Sequence, residues 1–158
     1  MSASSLAMTT WARLSRIPAG KWAFSRFITL KAPYFASIRP RFEALRPGYC
    51  ELRIRKRRAV LNHLGSVHAI AMCNMAELAG GMMTDVTIPP GYRWIPKGMT
   101  VEYIAKAETN LRAIAELTSM PELGESTELP VSVKVIDTHQ KTVFQAVITM
   151  WVSRKRPN

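Results

Sequence analysis

Hydrophobic and polar positions follow one period in the first third of the chain, another after Tyr49, and a third after Pro89. The first third reads as helical, with breaks at Pro18-Ala19-Gly20 and at Pro33. Trp22, Phe24, Phe27, Ile28 and Leu30 stand among cations there, which predicts a basic amphipathic helix. After the turn signal Pro47-Gly48 the period drops to two: Cys50, Leu52 and Ile54 alternate with Glu51, Arg53 and Arg55, as on a half-buried strand. The next apolar stretch is nearly unbroken. Past His68 only Asn74 and Glu77 interrupt it, predicting a helix from about Val67 to Met83 buried on every side, and Pro89-Pro90-Gly91 ends it. Strand patterns fill the remainder: Val101 to Ala107, Leu111 to Leu117, Val131 to Ile136 and Val143 to Val152. The polar run Asp137 to Lys141 joins the last two as a hairpin.

One long buried helix between a first strand and a run of antiparallel strands implies an α+β fold, with a curved sheet wrapped around that helix. The division expected is a basic helical segment over residues 1–32 and one folded domain over 33–158. A chain of 158 residues can bury a single core. No apolar run reaches the ~18–20 residues of a membrane-spanning helix. Cys50 and Cys73 both lie in apolar patterns, which points to buried thiols in a reducing compartment, hence the cytoplasm.

Charge changes the picture more. Lysine and arginine number 22 against 11 acids, leaving +11, and no acid precedes Glu43. That balance favours polyanions: nucleic acid, anionic lipid, or a phosphorylated small molecule such as coenzyme A. For the basic N-terminal segment the favoured reading is an apolar side capping the core under solvated cations. A membrane-surface helix ranks second and an organelle transit peptide third. The run Arg53 to Arg58 alternates with apolar residues, so a solvated strand face is preferred to nucleic-acid binding. No GxSxG elbow, HExxH or paired-cysteine metal site is present, so no metal or redox cofactor is expected.

The candidate chemistry sits around the buried helix. A carboxylate in an apolar helix is costly unless compensated, which marks Glu77 as either structurally paired or catalytic. Asn62, His68 and Glu77 stand in the order N-x5-H-x8-E. Together with APYFASIRP, NHLGSVHAIAMCNMAELAGG and RWIPKGMTVEYIAKA, this order resembles the hotdog-fold thioesterases. It is closest to the branch of phenylacetate-pathway and 4-hydroxybenzoyl-CoA thioesterases, and to a bacterial subgroup of that superfamily. The likeness covers Pro33 to Val152. Two positions depart from the family pattern: Ala69 replaces the glycine after the histidine, and the acid is Glu rather than Asp.

The resemblance implies a thioesterase acting on acyl-coenzyme A as a homodimer or tetramer. The N–H groups of Ala69 and His68 at the helix start would form an oxyanion hole. Glu77 would act as general base or as nucleophile, and Asn62 would orient water or thioester. His68 and Asn62 also have purely structural readings, as a helix cap and a turn residue. Asn74 reads as a satisfied core or interface hydrogen bond, or as a residue contacting substrate. Arg57 and Arg58 are candidates for the coenzyme A phosphates. Nine residues of helix span about 13 Å and, at ~100° each, half a turn. The helix start and Glu77 of one chain therefore cannot grip one carbonyl, and a working site would be shared across a two-fold axis. A non-catalytic module that binds acyl-coenzyme A or fatty acyl groups is the alternative.

Overall fold

A computed structural model describes residues 5–156, so the outermost residues of both expected segments, 1–4 and 157–158, lie outside it. Two helices open the chain, α1 (Leu6–Leu14) and α2 (Gly20–Lys31), followed by a 3₁₀ segment over Pro33–Ile38. The strands β1 (Arg41–Arg46) and β2 (Tyr49–Ile54) come next. The long helix α3 (Ala69–Thr87) follows, then β3 (Tyr92–Tyr103), β4 (Leu111–Glu116), β5 (Ser126–Ile136) and β6 (Thr142–Arg154). The six strands form one antiparallel sheet in the order β1-β2-β4-β5-β6-β3. This α+β sheet curves around α3, which touches every strand, and the architecture is the hotdog fold.

The apolar pattern accounts for the packing. Cys50, Leu52 and Ile54 of β2 are buried, as are Leu111, Ala113 and Ala115 of β4, Val131, Val133 and Val135 of β5, and the alternate residues Phe144 to Val152 of β6. They meet Met72, Met75, Ala76, Ala79 and Met83 of α3. Close approach of helix to sheet depends on Gly80. A Cβ there would stand 2.9 Å from Ile148 Cδ1, with Val131 and Val133 at 3.4 and 3.5 Å. At the other end, Trp11 packs edge-on against Phe24, and Phe24 against Phe42, tying α1 and α2 to β1. Ser25 reinforces this, since its Oγ accepts the Phe42 N–H at 3.0 Å.

Three expectations about element bounds change. β1 lies in the stretch read as helical. A bulge between Phe42 and Ala44 puts Phe42 and Leu45 on the core side three residues apart, so a strand carries a helical period. β3 starts at Tyr92, well before Val101, because Pro96 and a bulge before Gly98 break its alternation. It also ends at Tyr103, short of Ala107, whose carbonyl accepts the Val67 N–H at 2.8 Å. The helix runs to Thr87, one turn past Met83, and stops before the predicted prolines. Among the described residues no helix is long and apolar enough to cross a membrane.

Replacing Gly80 by Val forces two methyl groups into the helix–sheet contact. It should lower stability by about 1–3 kcal/mol, read as a lower denaturation midpoint; an unchanged midpoint would show that α3 does not press on β5 and β6 there.

Candidate active site

The approach to α3 is built as a closed loop. Leu61 and Val67 form a β-bridge, and the Asn62 N–H donates to the Ser66 carbonyl at 2.9 Å. The Asn62 side chain stitches the interior: its Oδ1 accepts the N–H groups of Leu64 at 2.9 Å and Ser66 at 3.2 Å. Its Nδ2 donates to Ser66 Oγ at 2.9 Å. Both ends of the amide are thus engaged within the loop, the arrangement an Asx turn provides.

His68 is the N-cap of α3. Its Nδ1 accepts the Ile70 N–H at 3.1 Å, and its carbonyl accepts from Ala71 and Met72 at 3.0 and 3.3 Å. Its own N–H donates to the Val60 carbonyl at 2.8 Å, so of the two amides expected in an oxyanion hole this one is already occupied. The Ala69 N–H has no acceptor among the described residues. One first-turn amide, at the positive end of a 19-residue helix, is therefore available.

Further along α3 a polar strip interrupts the buried surface. Cys73 and Asn74 lie four and three residues before Glu77, hence beside it on one helix face. Cys73 Sγ is 3.4 Å from the Tyr103 hydroxyl, a contact that, ahead of desolvation, raises the Tyr103 phenol above its ordinary pKa. Asn74, only 7 % exposed, donates through Nδ2 to Ser37 Oγ at 3.2 Å, while its Oδ1 is buried with no partner among the described residues. Glu77 is half-buried and forms no ion pair or side-chain hydrogen bond among those residues.

Two tethers place β3 alongside this strip. Tyr103 meets Cys73 at one end. At the other, Trp94 lies over Gly81, where a Cβ would stand 2.7 Å from the ring, and its Nε1 donates to Asp85 Oδ1 at 3.4 Å. Glu77 falls between the tethers, beside a strand that ends the sheet and pairs on one side only. The opposite wall is the 3₁₀ segment, through Ser37. Arg57 belongs to that wall: it donates to the Ser37 carbonyl, and desolvation followed by the charge of Arg39 lowers its pKa. Arg58 is exposed in a short 3₁₀ turn.

The sequence pattern marks Cys73 only as a buried thiol, whereas it is half-buried in this strip, and the sequence does not mark Ser37, Tyr103 or Trp94 as site residues. Cys73 was within reach, since its helical spacing to Glu77 is visible there; the others join the strip through contacts between distant segments. A groove of about 600 Å³, lined by Ile114, Ser132 and Val147 among others, lies across the outward face of the sheet; neither Asn62, His68 nor Glu77 lines it.

Removing the Asn62 amide releases the Leu64 N–H to water and strands the part-buried Ser66 N–H. Asn62→Ala should therefore cost about 1–3 kcal/mol, whereas Asn62→Asp keeps an oxygen that can accept both and should cost less than roughly half of that. Equal unfolding midpoints for the two variants would contradict this role. The two thiols should also differ. Burial pushes the Cys50 thiol far up, so an aromatic disulfide reagent should titrate one thiol, Cys73, in the folded protein and two after denaturation.

Comparison with known proteins adds three observations. None of the proteins with curated descriptions matches the chain. Among solved structures, the structural-genomics protein APC5556 is 50 % identical with a TM-score of 0.82, covering 94 % of this chain and 98 % of its own. A Pseudomonas aeruginosa protein of unknown function, described as a probable thioesterase, is 23 % identical with a TM-score of 0.75, the match covering 88 % and 97 % of the two chains. A thioesterase family protein from Silicibacter pomeroyi is 18 % identical with a TM-score of 0.71, covering 83 % and 96 %. The last two share the hotdog fold with this chain. A family model described as a domain of unknown function, DUF4442, matches residues 20–152, and the chain belongs to that family.

Proposed function

We propose that the protein hydrolyses acyl-coenzyme A thioesters at a site shared by two copies of the chain. One observation carries this reading. An unpaired helix N-terminal amide, at Ala69, and an unpaired half-buried carboxylate, at Glu77, occur on one helix whose outer flank lies beside an unpaired strand edge. Structural neighbours described as thioesterases support the reaction class.

The chemistry follows from the two groups. The thioester oxygen would lie against the Ala69 N–H of one protomer, where the helix end favours negative charge. Glu77 of the other would take a proton from water as the water oxygen attacks the carbonyl carbon. The tetrahedral intermediate then collapses, the carbon–sulfur bond breaks, and the proton held by Glu77 passes to the departing thiolate. Alternatively the Glu77 carboxylate attacks the carbonyl carbon and the carbon–sulfur bond breaks, giving a mixed anhydride and a thiolate. Water then cleaves the anhydride to free acid and the Glu77 carboxylate, and the proton it gives up passes to the thiolate. Ala69 and Glu77 are eight residues apart, about 12 Å of helix rise, which is why the partner copy is required. An extended edge strand such as β3 is a ready template for antiparallel pairing with its own copy. On this reading Asn62 and His68 shape the loop and cap the helix, so that they position the Ala69 amide.

A thiol-release assay over short, long and aromatic acyl-coenzyme A substrates tests the proposal. Wild type should release thiol, and Glu77→Gln should lose about 10²–10⁴-fold in kcat. Binding of acyl-coenzyme A without release from any substrate would favour the non-catalytic acyl-binding module, for which the Ala69 methyl group at the helix start is the supporting feature. Specific activity should also fall on dilution in step with the dimer fraction measured by sedimentation. Full activity in a monomer would overturn the shared site.

A further inference from the structure

The basic groove between α2 and the β1–β2 hairpin takes no part in the chemistry above. Arg26, Arg39, Arg41, Arg53 and Arg55 line it, over a floor that includes Thr29, Ala36 and Pro40, and it encloses about 330 Å³. The acid paired with these guanidiniums is Glu43, which lies 2.7 Å from Arg53 Nε, 3.7 Å from Arg41 Nε and 3.4 Å from Lys21 Nζ. Asp137 adjoins Arg53 and Arg55 on the far side without pairing with either. The Arg53 pair is an ion pair by distance only, since its N–H points off the line to the carboxylate. Arg26, Arg39 and Arg55 have no acidic partner among the described residues. Arg39 is held at φ 48°, ψ 60°, a left-handed conformation that costs free energy in a residue other than glycine. Its charge also bears on Arg57 across the 3₁₀ segment. Like charges held together in a concave site, three of the five without an acidic partner, match an anion with several oxygens in fixed geometry. Phosphate is the anion that arginine forks grip best.

The groove also has a defined place. Ser37, whose hydroxyl meets Asn74, and Arg39, which lines the groove, are two residues apart in the wall of the candidate active site. We infer that this arginine groove binds the phosphate-bearing nucleotide end of the thiol carrier, leaving its long flexible arm to cross the Ser37 wall toward Glu77. The inference rests on the acyl-coenzyme A reading. It replaces Arg58 by Arg26, Arg39 and Arg55 as the principal phosphate contacts, and keeps Arg57 as the residue that fixes the wall. A concave site favours a compact bisphosphate over a flat anionic surface, although exposed Trp22 at its rim would also suit a lipid headgroup.

Adenosine 3′,5′-bisphosphate, which carries the phosphates but no thioester, is the probe. Titration calorimetry on the full chain at low salt should detect binding. Arg26→Gln combined with Arg55→Gln should weaken it about tenfold or more, and Lys97→Gln, on β3 at the opposite edge of the sheet from β1, should leave it as in wild type. Both groove arginines are exposed and bond to no acid, so an unchanged thermal midpoint is expected for the double variant. Absence of binding by wild type, or equal binding by wild type and the double variant, would overturn the inference. So would a double variant that loses only its attachment to phosphatidylglycerol vesicles, which would make the groove a lipid contact. Bisphosphate binding without thiol release would keep the groove and reject hydrolysis; thiol release without bisphosphate binding would do the reverse.

Discussion

A helix that is apolar on nearly every side has to be covered on nearly every side, and most of this fold follows from covering α3. Hydrophobic burial is non-directional and scales with area removed from water, so it demands enclosure without choosing a shape. The small residues Ala76, Ala79 and Gly80 let the sheet come close, and the alternating residues of β2, β4, β5 and β6 supply the covering layer. Six antiparallel strands curve around the helix, yet a sheet with two ends cannot close on itself. The gap between its last strand, β3, and the 3₁₀ segment leaves a strip of α3 uncovered by strands. Cys73, Asn74 and Glu77 occupy that strip, Cys73 and Glu77 half-buried and Asn74 buried against Ser37.

Within the strip, neighbouring polar groups are satisfied unequally. The loop before α3 is tied both within itself and to its surroundings: Asn62 ties Leu64 and Ser66, Val67 bonds Ala107, and His68 bonds both Val60 and Ile70. These bonds fix where the helix begins and leave the Ala69 N–H as the exception. The Cys73–Tyr103 and Ser37–Asn74 contacts likewise fix both walls and leave Glu77 between them without a partner. Tied groups thus surround three polar groups without partners among the described residues, the Ala69 N–H, the Glu77 carboxylate and the buried Asn74 Oδ1, and hold them in place.

Where the sequence was legible, one period ran through a whole element. The nearly unbroken apolar run of α3, the alternation in β2, β4 and β6, and the polar Asp137–Lys141 turn all reappear in the structure within a few residues. Legibility failed where a bulge changed the period, as between Phe42 and Ala44, which lent β1 a helical spacing, and around Pro96 in β3. In the site, the residue types at Asn62, His68, Ala69 and Glu77 were visible, but the direction of each polar atom was not. Whether the His68 N–H was free depended on Val60, and the direction of Arg57 depended on Ser37, twenty residues away. Such partners belong to tertiary contacts and leave no spacing in the chain to read.

The distribution of charge gives the arrangement its last constraint. An arginine beside Glu77 would hold it ionised and hydrogen-bonded, lowering its basicity and blocking its approach to water or carbonyl. In a chain of net charge +11 that outcome has to be avoided by placement. The fold puts five arginines in a groove on α2 and the β1–β2 hairpin, and turns Arg57 into the Ser37 carbonyl. The 3₁₀ segment therefore separates two electrostatic environments: cations concentrated on one side, and an unpaired carboxylate with a single free amide donor on the other. A substrate anionic at one end and neutral at its reacting carbonyl fits this division, because its phosphates can be held by arginines that never reach the acid. Swapping the two environments would set arginines beside Glu77, so the position of that short segment matters as much to the proposed chemistry as either residue set.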